Sequence, residues 1–368
     1  MIRLQSQLPA EYTSATDAEL ASRIAAAKDR LGSRLLVLGH HYQREEVFRW
    51  ADATGDSFKL ARHAADHPEA DYVVFCGVHF MAESADVLTE AHQVVVLPDL
   101  NAGCSMADMA DLDQVLDAWE DIDAVCGTDG VIPITYMNSS AALKAFVGEH
   151  GGAVCTSSNA RAVLEWAYGE QGAGKVLFFP DQHLGRNTAV AMGYSLDECK
   201  VWNPREPLGG LDEREIKESP ILLWRGHCSV HQRFRPEHVH AARDEDPNVS
   251  VIVHPECSHD VVSLADHVGS TEVILRTIRE APSGTRWAVG TEIHMIDRLR
   301  QESAARDVEV FSLDPLVCPC STMFRIDAPH LAWALESLVD GDVVNQVSVD
   351  AETSRWARVA LERMLAIT

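Results

Sequence analysis

Short, unbroken apolar runs that alternate with helical patterns constrain the fold of this chain more than any other feature of its sequence. Residues 35–38, 72–75 and 94–97 are three such runs in the first third of the chain. Strands that are buried on both faces of a parallel sheet read as continuous apolar runs, because neither face meets water. A first helix is indicated by Thr16 and Glu19, which have the spacing of a capping box. The alternation of strands with helices predicts an α/β fold with right-handed crossovers.

Three stretches of the sequence repeat one order of features. Each has a Ser or Thr at a predicted helix start, then a strand followed by a histidine, then a strand whose loop carries one cysteine. The repeated residues are, in chain order, Ser57, His79 and Cys104, then Ser157, His183 and Cys228, then Thr271, His294 and Cys318. The step from histidine to cysteine is 25, 45 and 24 residues (104 − 79, 228 − 183 and 318 − 294). The middle step is longer because the polar, Pro/Gly-rich residues 203–220 look like an insertion.

This repeat predicts three similar three-layer α/β units with short parallel sheets around a pseudo-threefold axis. The first unit would span residues 1–110 with the N-terminal helix, and the second residues 111–233 with the insertion near 203–220. The third would span residues 234–368 and end in a C-terminal helix at about residues 329–365. We expect the three repeated histidines to be mainly structural, as hydrogen-bonding residues at helix entries.

The overall charge and the hydrophobic pattern exclude several classes of protein. The 368 residues carry a net charge of −25, which argues against a nucleic-acid partner, because such proteins need a basic surface. No apolar run approaches the roughly 20 residues that cross a bilayer, and residues 1–5 lack the apolar segment of a secretory signal. We therefore expect a cytoplasmic protein without a membrane partner. An anionic substrate would need a locally electropositive site.

Three of the nine cysteines have matching positions, each in a loop that follows a predicted strand. Ligands gather at the carboxyl ends of parallel strands in α/β proteins. Three thiolates without a fourth indicate an iron–sulfur cluster with one open iron or a zinc site with three thiolate ligands, and the alternative is three buried thiols. The other cysteines divide into four that we expect to be structural and two whose role stays open: Cys76, Cys126, Cys155 and Cys199, and then Cys257 and Cys320.

The three predicted helix starts could bind anions. A helix N-terminus exposes unpaired N–H groups and a partial positive charge, which favour a carboxylate or a phosphate. Three such sites on one axis would give an acidic protein a pocket for a polyanion. The alternative is that Ser57, Ser157 and Thr271 are ordinary helix caps, and the two roles are compatible.

Several polar residues at probable strand ends are candidates for proton transfer. His40 and His254 could act as acid–base or anion-binding groups, and Glu256 beside His254 could complete a proton-transfer pair. Tyr136 and Asn138 offer a hydroxyl and an amide after another probable strand, although a plain strand-to-helix turn would explain them as well.

Ten short motifs occur in order along the chain: HHYQ at 40–43, GDS at 55–57, NAGCSMA at 101–107, YMN at 136–138, CTSSNA at 155–160, PDQHLG at 180–185, CSVH at 228–231, HPEC at 254–257, GST at 269–271 and CP at 318–319. Together they resemble the quinolinate synthases, the A-type enzymes of de novo NAD biosynthesis. The resemblance covers about residues 30–325, and its specificity comes from the combination, since no single motif suffices.

The resemblance implies a pseudo-threefold fold and a [4Fe-4S] cluster held by Cys104, Cys228 and Cys318. It implies the condensation of iminosuccinate with dihydroxyacetone phosphate to quinolinate, with release of phosphate and water, the open iron acting as a Lewis acid. Transient contact with the enzyme that supplies iminosuccinate would fit this reaction. The implied substrate-contacting residues are His40, Ser57, Tyr136, Met137, Asn138, Ser157, His231, His254, Pro255, Glu256 and Thr271. The implied catalytic residues are Glu256, His254, Tyr136 and Tyr42.

Two departures from the family pattern leave questions open. His41 stands where many relatives have Asn, and Cys318-Pro319-Cys320 replaces the longer Cys-x-x-Cys-x-x-Cys run of some relatives. Pro319 favours Cys318 as the ligand, with Cys320 as its competitor. A cluster-dependent hydro-lyase of another small hydroxy acid and a redox or iron sensor are the alternative functions. The sensor is less favoured, because the sequence shows no basic patch and no long apolar helix that a partner could cover.

Overall fold

The described strands form three sheets in the computed structural model, which describes residues 5–316 and 319–367. The first sheet contains β1 (Leu35–His40), β2 (Ala53–Gly55), β3 (Tyr72–Cys76) and β4 (Val94–Val96). The second contains β5 (Val131–Tyr136), β6 (Ala153–Cys155), β7 (Lys175–Phe179), β8 (Cys199–Trp202) and β9 (Ile221–Trp224). The third contains β10 (Ser250–Val253), β11 (His267–Val268), β12 (Arg286–Gly290) and β13 (Glu309–Ser312). A last strand, β14 (Gln346–Val347), pairs antiparallel with β4 at the edge of the first sheet.

The three sheets share one strand order. The orders are β2-β1-β3-β4, β6-β5-β7-β9 and β11-β10-β12-β13, and all of these strands pair in parallel. In each sheet the second strand lies on one side of the first strand and the third strand lies on the other. The prediction of an α/β fold with short parallel sheets is therefore confirmed. The repeated topology is compatible with a pseudo-threefold arrangement, which stays a prediction.

Helices connect the strands. In chain order they are α1 (Ala10–Thr13), α2 (Asp17–Leu31), α3 (Glu45–Phe48), α4 (Ser57–Ala65), α5 (His79–Leu88), α6 (Leu112–Cys126), α7 (Ala141–Glu149), α8 (Ala160–Gly169), α9 (Gln182–Ala191), α10 (Glu213–Glu218), α11 (Pro236–Glu245), α12 (His259–Val262), α13 (Thr271–Arg279), α14 (Ile293–Ala304), α15 (Ala328–Asp340) and α16 (Ala351–Ala366). The capping box predicted for the first long helix is confirmed, because Thr16 and Glu19 exchange hydrogen bonds at the start of α2. No helix among the described residues is long and apolar enough to cross a membrane.

The described residues divide into two compact units. The first unit consists of residues 5–104 and 319–351 and contains the first sheet. The second unit consists of residues 105–316 and 352–367 and contains the second and third sheets. The three domains expected at 1–110, 111–233 and 234–368 follow the three sheets rather than these two units, and their boundaries stay a prediction.

The segment between α9 and β9 holds the extra residues of the second sheet. It contributes the edge strand β8 and the helix α10, whereas α5 and α14 lead to β4 and β13 with no strand between them. The added structure therefore begins before residue 203, at the strand that contains Cys199.

The single C-terminal helix expected at about residues 329–365 is wrong, because two helices occupy this part of the chain. Helix α15 ends at Asp340, and Gly341 follows it with a φ of 86°, a backbone conformation that favours glycine at a helix end. Strand β14 then pairs with β4 before α16 begins at Ala351. In the first unit, α15 packs against α2, and Arg23 donates to Glu336 with 2.5 Å between Nη2 and Oε2.

Candidate functional site

The second unit has a crevice position in each of its two sheets. The connections of β5 and β7 leave in opposite directions, as do those of β10 and β12, because the second strand of each sheet lies on one side and the later strands on the other. Such a reversal of strand order opens a crevice beyond the carboxyl ends of the two strands, where α/β proteins bind ligands. Tyr136 ends β5 and Asp181 follows β7, while His254 follows β10 and Thr291 follows β12.

A buried hydrogen-bond network joins the ends of β5, β10 and β12 with the loop after β9. Tyr136 donates its hydroxyl hydrogen to Glu256 with 2.5 Å between Oη and Oε1. The other carboxylate oxygen of Glu256, Oε2, lies 2.7 Å from Nδ1 of His231. Since the carboxylate accepts, Nδ1 of His231 donates to it, and Nε2 of the same ring lies 3.3 Å from the hydroxyl oxygen of Thr291. The network holds both oxygens of one buried carboxylate and orients one imidazole.

The imidazole of His254 packs against this network. Its ring stacks on His231 with 4.5 Å between the centroids and an angle of 21° between the planes. The backbone N–H of Glu256 donates to Nδ1 of His254 at 3.3 Å, so the ring hydrogen is on Nε2, which lies 3.2 Å from Oγ of Ser157. Burial lowers the pKa of His254 from 6.5 to about 3, so the ring is neutral near pH 7.

Glu256 is the carboxylate that this arrangement keeps ionised. Burial alone would raise its pKa, but the neighbouring His231 and His254 and the hydrogen bonds from His231 and Tyr136 lower the pKa below its ordinary value. Asp181 has the opposite behaviour, because burial and the charge of Glu256 raise its pKa well above the ordinary value. Two buried carboxyl groups with opposed pKa shifts are a feature of sites that move protons.

Cys228 lies beside this network. Its Sγ, a ring nitrogen of His231 and a carboxylate oxygen of Glu256 all lie within 4.8 Å of one another. The loop that carries it leaves β9 through Gly226, where a Cβ atom would lie 2.1 Å from the carbonyl oxygen of Pro180. Only glycine fits this close approach of two strand-end loops. His231 and Glu256 are hydrogen-bonded to each other. Cys228 is therefore the residue of this group whose side chain suits an iron–sulfur cluster as a ligand.

The other cysteines that were considered as cluster ligands differ in their burial and in their position in the fold. Cys104 follows β4 in the first unit and is partly exposed. Cys318 lies outside the described residues. Cys257 is fully buried, and burial raises the pKa of its thiol well above the ordinary value, which disfavours the thiolate that a metal needs. Cys320 belongs to the first unit, where its Sγ lies 3.5 Å from Oγ1 of Thr322.

Three of the four cysteines expected to be structural are buried. Cys76, Cys155 and Cys199 lie in strands, and burial raises the pKa of Cys76 to about 12. Cys126 differs, because it is exposed at the end of α6.

The first unit holds the remaining histidine and tyrosine candidates. His40 ends β1, and the backbone N–H of Tyr42 donates to its Nδ1 at 3.1 Å. The rings of these two residues meet edge to face with 4.8 Å between their centroids. Ser57 is the first residue of α4, but Asp56 caps this helix by accepting the N–H of Lys59 at 2.9 Å. The interpretation of Ser57 as the capping residue is therefore wrong.

The other two predicted helix starts are corrected in the same way. Ser157 lies in the turn before α8, whose preceding residue is Asn159. Thr271 is the first residue of α13, and Ser270 precedes it in extended conformation without capping through its side chain. The hydroxyl oxygens of Ser270 and Thr271 are buried and have no hydrogen-bond partner among the described residues. This helix end therefore presents two unused hydroxyl groups together with its first N–H groups.

The remaining predicted residues surround the ends of β5 and β10. The Oδ1 atom of Asn138 has no hydrogen-bond partner among the described residues. Met137 is buried, and its backbone N–H donates to the backbone carbonyl oxygen of Cys155 at 2.7 Å. The carbonyl oxygen of Pro255 accepts from Nδ2 of Asn187 at 2.8 Å. The structure thus brings Tyr136, Ser157, Cys228, His231, His254 and Glu256 together, while Asn138 and Thr271 make no hydrogen bond to them in the described part of the chain.

The sequence interpretation missed several supporting residues. Lys144 is fully buried on α7 and donates to the carbonyl oxygen of Ser139 at 2.5 Å, which supports the turn after Tyr136. Asn187 holds the loop after β10 through the carbonyl oxygens of Pro255 and Cys257, each at 2.8 Å. Lysine and asparagine inside otherwise apolar helix faces were the available signal, since buried polar groups need partners.

The repeated histidines each lie in the first turn of a helix and donate through their backbone N–H, and a mainly structural role for their rings stays a prediction. The N–H of His79 donates to Ala102 at 2.8 Å, that of His183 to the Asp181 side chain at 2.7 Å, and that of His294 to the Glu292 side chain at 2.8 Å. Each contact satisfies a donor in the first turn of a helix.

Known proteins resemble this chain along nearly its whole length. Residues 22–366 match the family described as NadA: Quinolinate synthetase A protein. A quinolinate synthase of Streptomyces coelicolor is 57% identical over 362 residues, which cover 98% of this chain and 91% of that protein. One of Corynebacterium glutamicum is 58% identical over 363 residues, covering 99% of this chain and 91% of that protein. One of Acidobacterium capsulatum is 56% identical over 357 residues, covering 97% of this chain and 95% of that protein. The chain therefore belongs to the quinolinate synthetase A family of enzymes.

Proposed function

We propose that this enzyme condenses iminosuccinate with dihydroxyacetone phosphate to form quinolinate, with release of phosphate and water. The observation that carries the proposal is the buried network of Tyr136, Glu256 and His231 at the ends of three parallel strands and their loops. The condensation needs a base that removes a proton from carbon and an acid that protonates a departing hydroxyl group. The ionised carboxylate of Glu256 can accept the proton, and the hydroxyl group of Tyr136 that is hydrogen-bonded to it can donate one. Membership of the family supports the same reaction.

We propose that Cys104, Cys228 and Cys318 hold a [4Fe-4S] cluster. When bound, the cluster would supply a Lewis-acidic iron that polarises a substrate oxygen and assists the loss of water. Contacts within the second unit support the ligand set. Met109, five residues after Cys104 in sequence, accepts from Nε1 of Trp224 through its carbonyl oxygen at 2.7 Å, close before Cys228.

A second contact supports the assignment of Cys318. Arg233 lies five residues after Cys228 and donates to Asp314 with 3.2 Å between Nη2 and Oδ2. Asp314 is buried and lies four residues before Cys318 in sequence. This ion pair ties the loop of one proposed ligand to the segment that leads to another.

The substrates explain the unused hydroxyl groups at the start of α13. Iminosuccinate carries two carboxylates and its partner carries a phosphate, and helix N-termini bind such groups through their N–H donors. Ser270 and Thr271 add two buried hydroxyl donors that have no partner among the described residues. We assign Thr271 to anion binding, with Ser157 and Ser57 in the same role at their own helix starts. His40, Asn138, Met137 and Pro255 complete the proposed substrate contacts.

The residues of the network have separate roles in this proposal. Glu256 removes the proton from carbon, and the hydroxyl group of Tyr136 protonates the departing hydroxyl group. Tyr42 is a further acid–base candidate. His231 orients Glu256 and is itself held by Thr291. His254 stays neutral and donates through Nε2 to Ser157, which leaves the serine hydroxyl hydrogen available to a substrate anion.

An anaerobic assay with both substrates tests the function. The cluster-containing enzyme should form quinolinate only when iminosuccinate and dihydroxyacetone phosphate are both present. A brown protein with a full cluster that forms no quinolinate would contradict the proposal and favour another cluster-dependent dehydration. A colourless protein with one zinc per chain would contradict the cluster as well. A cytoplasmic location and transient contact with the enzyme that supplies iminosuccinate stay predictions.

A further inference from the structure

His183 lies just beyond the carboxyl end of β7, the strand that pairs with the strand of Tyr136. Strand β5 ends at Tyr136, and the adjacent parallel strand β7 leads through Asp181 to the second residue of α9, His183. The two strands flank the reversal of strand order, so the chain places His183 where this fold class binds ligands. His183 is also close enough to Glu256 and His227 for their charges to affect the titration of its ring.

The imidazole of His183 has no hydrogen-bond partner among the described residues. Both ring nitrogens are buried and make no hydrogen bond within the described part of the chain, although the residue is only 8% exposed. Oδ2 of Asp181, two residues earlier, is also buried and without a partner there. Buried polar atoms without hydrogen bonds destabilise a fold, so three such atoms within three residues of sequence point to a bound group.

The equivalent histidines of the other two sheets show that their position does not require this. His79 and His294 have the same place after the third strand of their own sheets. Nδ1 of His294 hydrogen-bonds to the carboxylate of Glu292 at 2.8 Å. Nδ1 of His79 lies 3.4 Å from the carboxylate of Glu83 without forming a hydrogen bond. Both rings therefore lie beside a carboxylate, whereas the ring of His183 forms neither an ion pair nor a hydrogen bond among the described residues.

We propose that His183 binds substrate, with one ring nitrogen donating to a substrate oxygen and the other accepting from a substrate hydroxyl or imino N–H. A neutral imidazole has one donor and one acceptor, and the hydroxyketone and imine groups of the two proposed substrates supply both complements. Burial lowers the pKa of His183 to about 4, which keeps the ring in this neutral form near pH 7. The inference rests on the proposed function and adds a substrate-binding residue to it.

Two substitutions separate binding from packing. His183→Phe keeps the ring volume and removes both hydrogen-bonding atoms, whereas His183→Gln keeps a donor and an acceptor. With the cluster-containing enzyme, H183F should raise the KM for one substrate about tenfold or more, which corresponds to about 1.4 kcal/mol. H183Q should recover part of this loss. Calorimetric titration of each enzyme with dihydroxyacetone phosphate alone and with quinolinate should show a weaker Kd in H183F for at least one of these probes.

His294→Phe is the matched control. It removes an imidazole from the equivalent position, where the protein supplies the partner, so the melting temperature should fall while both KM values stay within about twofold. Iron and sulfide content should be unchanged in all three variants. H183F with wild-type KM and Kd values would overturn the inference and leave the proposed function intact, since the wild type would still form quinolinate. If H183F does not fold, H183Q is measured alone: a KM or Kd that is raised for one substrate supports the inference, and unchanged values for every probe overturn it. A wild type that forms no quinolinate overturns both proposals.

Discussion

Tyr136 donates a hydrogen bond to Glu256 across 120 positions of sequence, with 2.5 Å between the phenolic and carboxylate oxygens. Tyr136 ends a strand of the second sheet, whereas Glu256 lies in the loop after a strand of the third. A hydrogen bond from a hydroxyl group to an ionised carboxylate is short and strong, particularly away from water. This contact therefore joins the strand ends of two sheets within one unit and fixes the group that we assign as the base.

Glu256→Gln should reduce turnover strongly without disturbing the protein. Glutamine keeps the size of the side chain but cannot take a proton, and general acid–base catalysis contributes about 10²- to 10⁴-fold to rates. We expect kcat to fall by at least about 100-fold, with iron and sulfide content as in the wild type. Tyr136→Phe, which removes only the hydroxyl donor, should cause a smaller loss. Full turnover in an E256Q enzyme with a complete cluster would remove Glu256 from the mechanism.

Gly226→Ala should displace the loop of Cys228. The added Cβ would lie 2.1 Å from the backbone oxygen of Pro180, so the loop after β9 must move away from the loop after β7. We expect lower iron content and lower turnover in this variant. Gly169→Ala is the matched control, because a Cβ at the end of α8 meets no atom within 4 Å. That control should be neutral or gain up to about 1 kcal/mol of stability. Equal cluster content in both variants is the result that our account does not allow.

Serine variants of the cysteines should separate ligands from other thiols. Cys104→Ser, Cys228→Ser and Cys318→Ser should each lose most of the iron, because a serine hydroxyl is a poor ligand for this type of cluster. Cys320→Ser and Cys257→Ser should keep it, the latter because its thiol is fully buried with a raised pKa. Iron and acid-labile sulfide are measured after anaerobic purification. A cluster that survives in C318S and is lost in C320S would exchange the two assignments.

Much of the fold could be predicted, because parallel strands buried on both faces leave a direct trace in the sequence. The runs 35–38 and 72–75 fall within β1 and β3, and the capping box of α2 appears as expected. The capping residues of the helices were harder to predict, because Ser57 and Asp56 are both good caps and only the backbone conformation distinguishes them. The division of the predicted C-terminal helix into α15 and α16 was missed, since a single glycine in a sequence does not by itself predict a helix end.

The site was predictable in its residue types but not in its contacts. The motif that contains His254 and Glu256 suggested a proton-transfer pair, whereas the carboxylate of Glu256 is held by Tyr136 and His231. These partners come from remote parts of the chain, and no local pattern records such a pairing. His183 was expected to be mainly structural for a related reason, because only the structure shows that the described residues offer its ring no hydrogen-bond partner.

The free energy of unfolding should decrease in acid partly through His183. Burial lowers its pKa from 6.5 to about 4, so between these values the unfolded chain binds a proton that the native protein does not. The stabilisation is therefore present above about pH 6.5 and is lost as the pH falls toward 4, by at most about 1.4 kcal/mol per pH unit. H183F should show a smaller decrease than the wild type between about pH 7.5 and 4.5 in denaturant titrations. Identical slopes for the two proteins would show that His183 titrates normally.

The dependence of turnover on the cluster tests the account most directly. The cluster would be removed from the anaerobic enzyme with a chelator and rebuilt in the same sample with iron and sulfide, while quinolinate formation from both substrates is followed. Our account predicts that turnover falls and returns in proportion to cluster occupancy, with none in the cluster-free protein. Full quinolinate formation by cluster-free protein would contradict it.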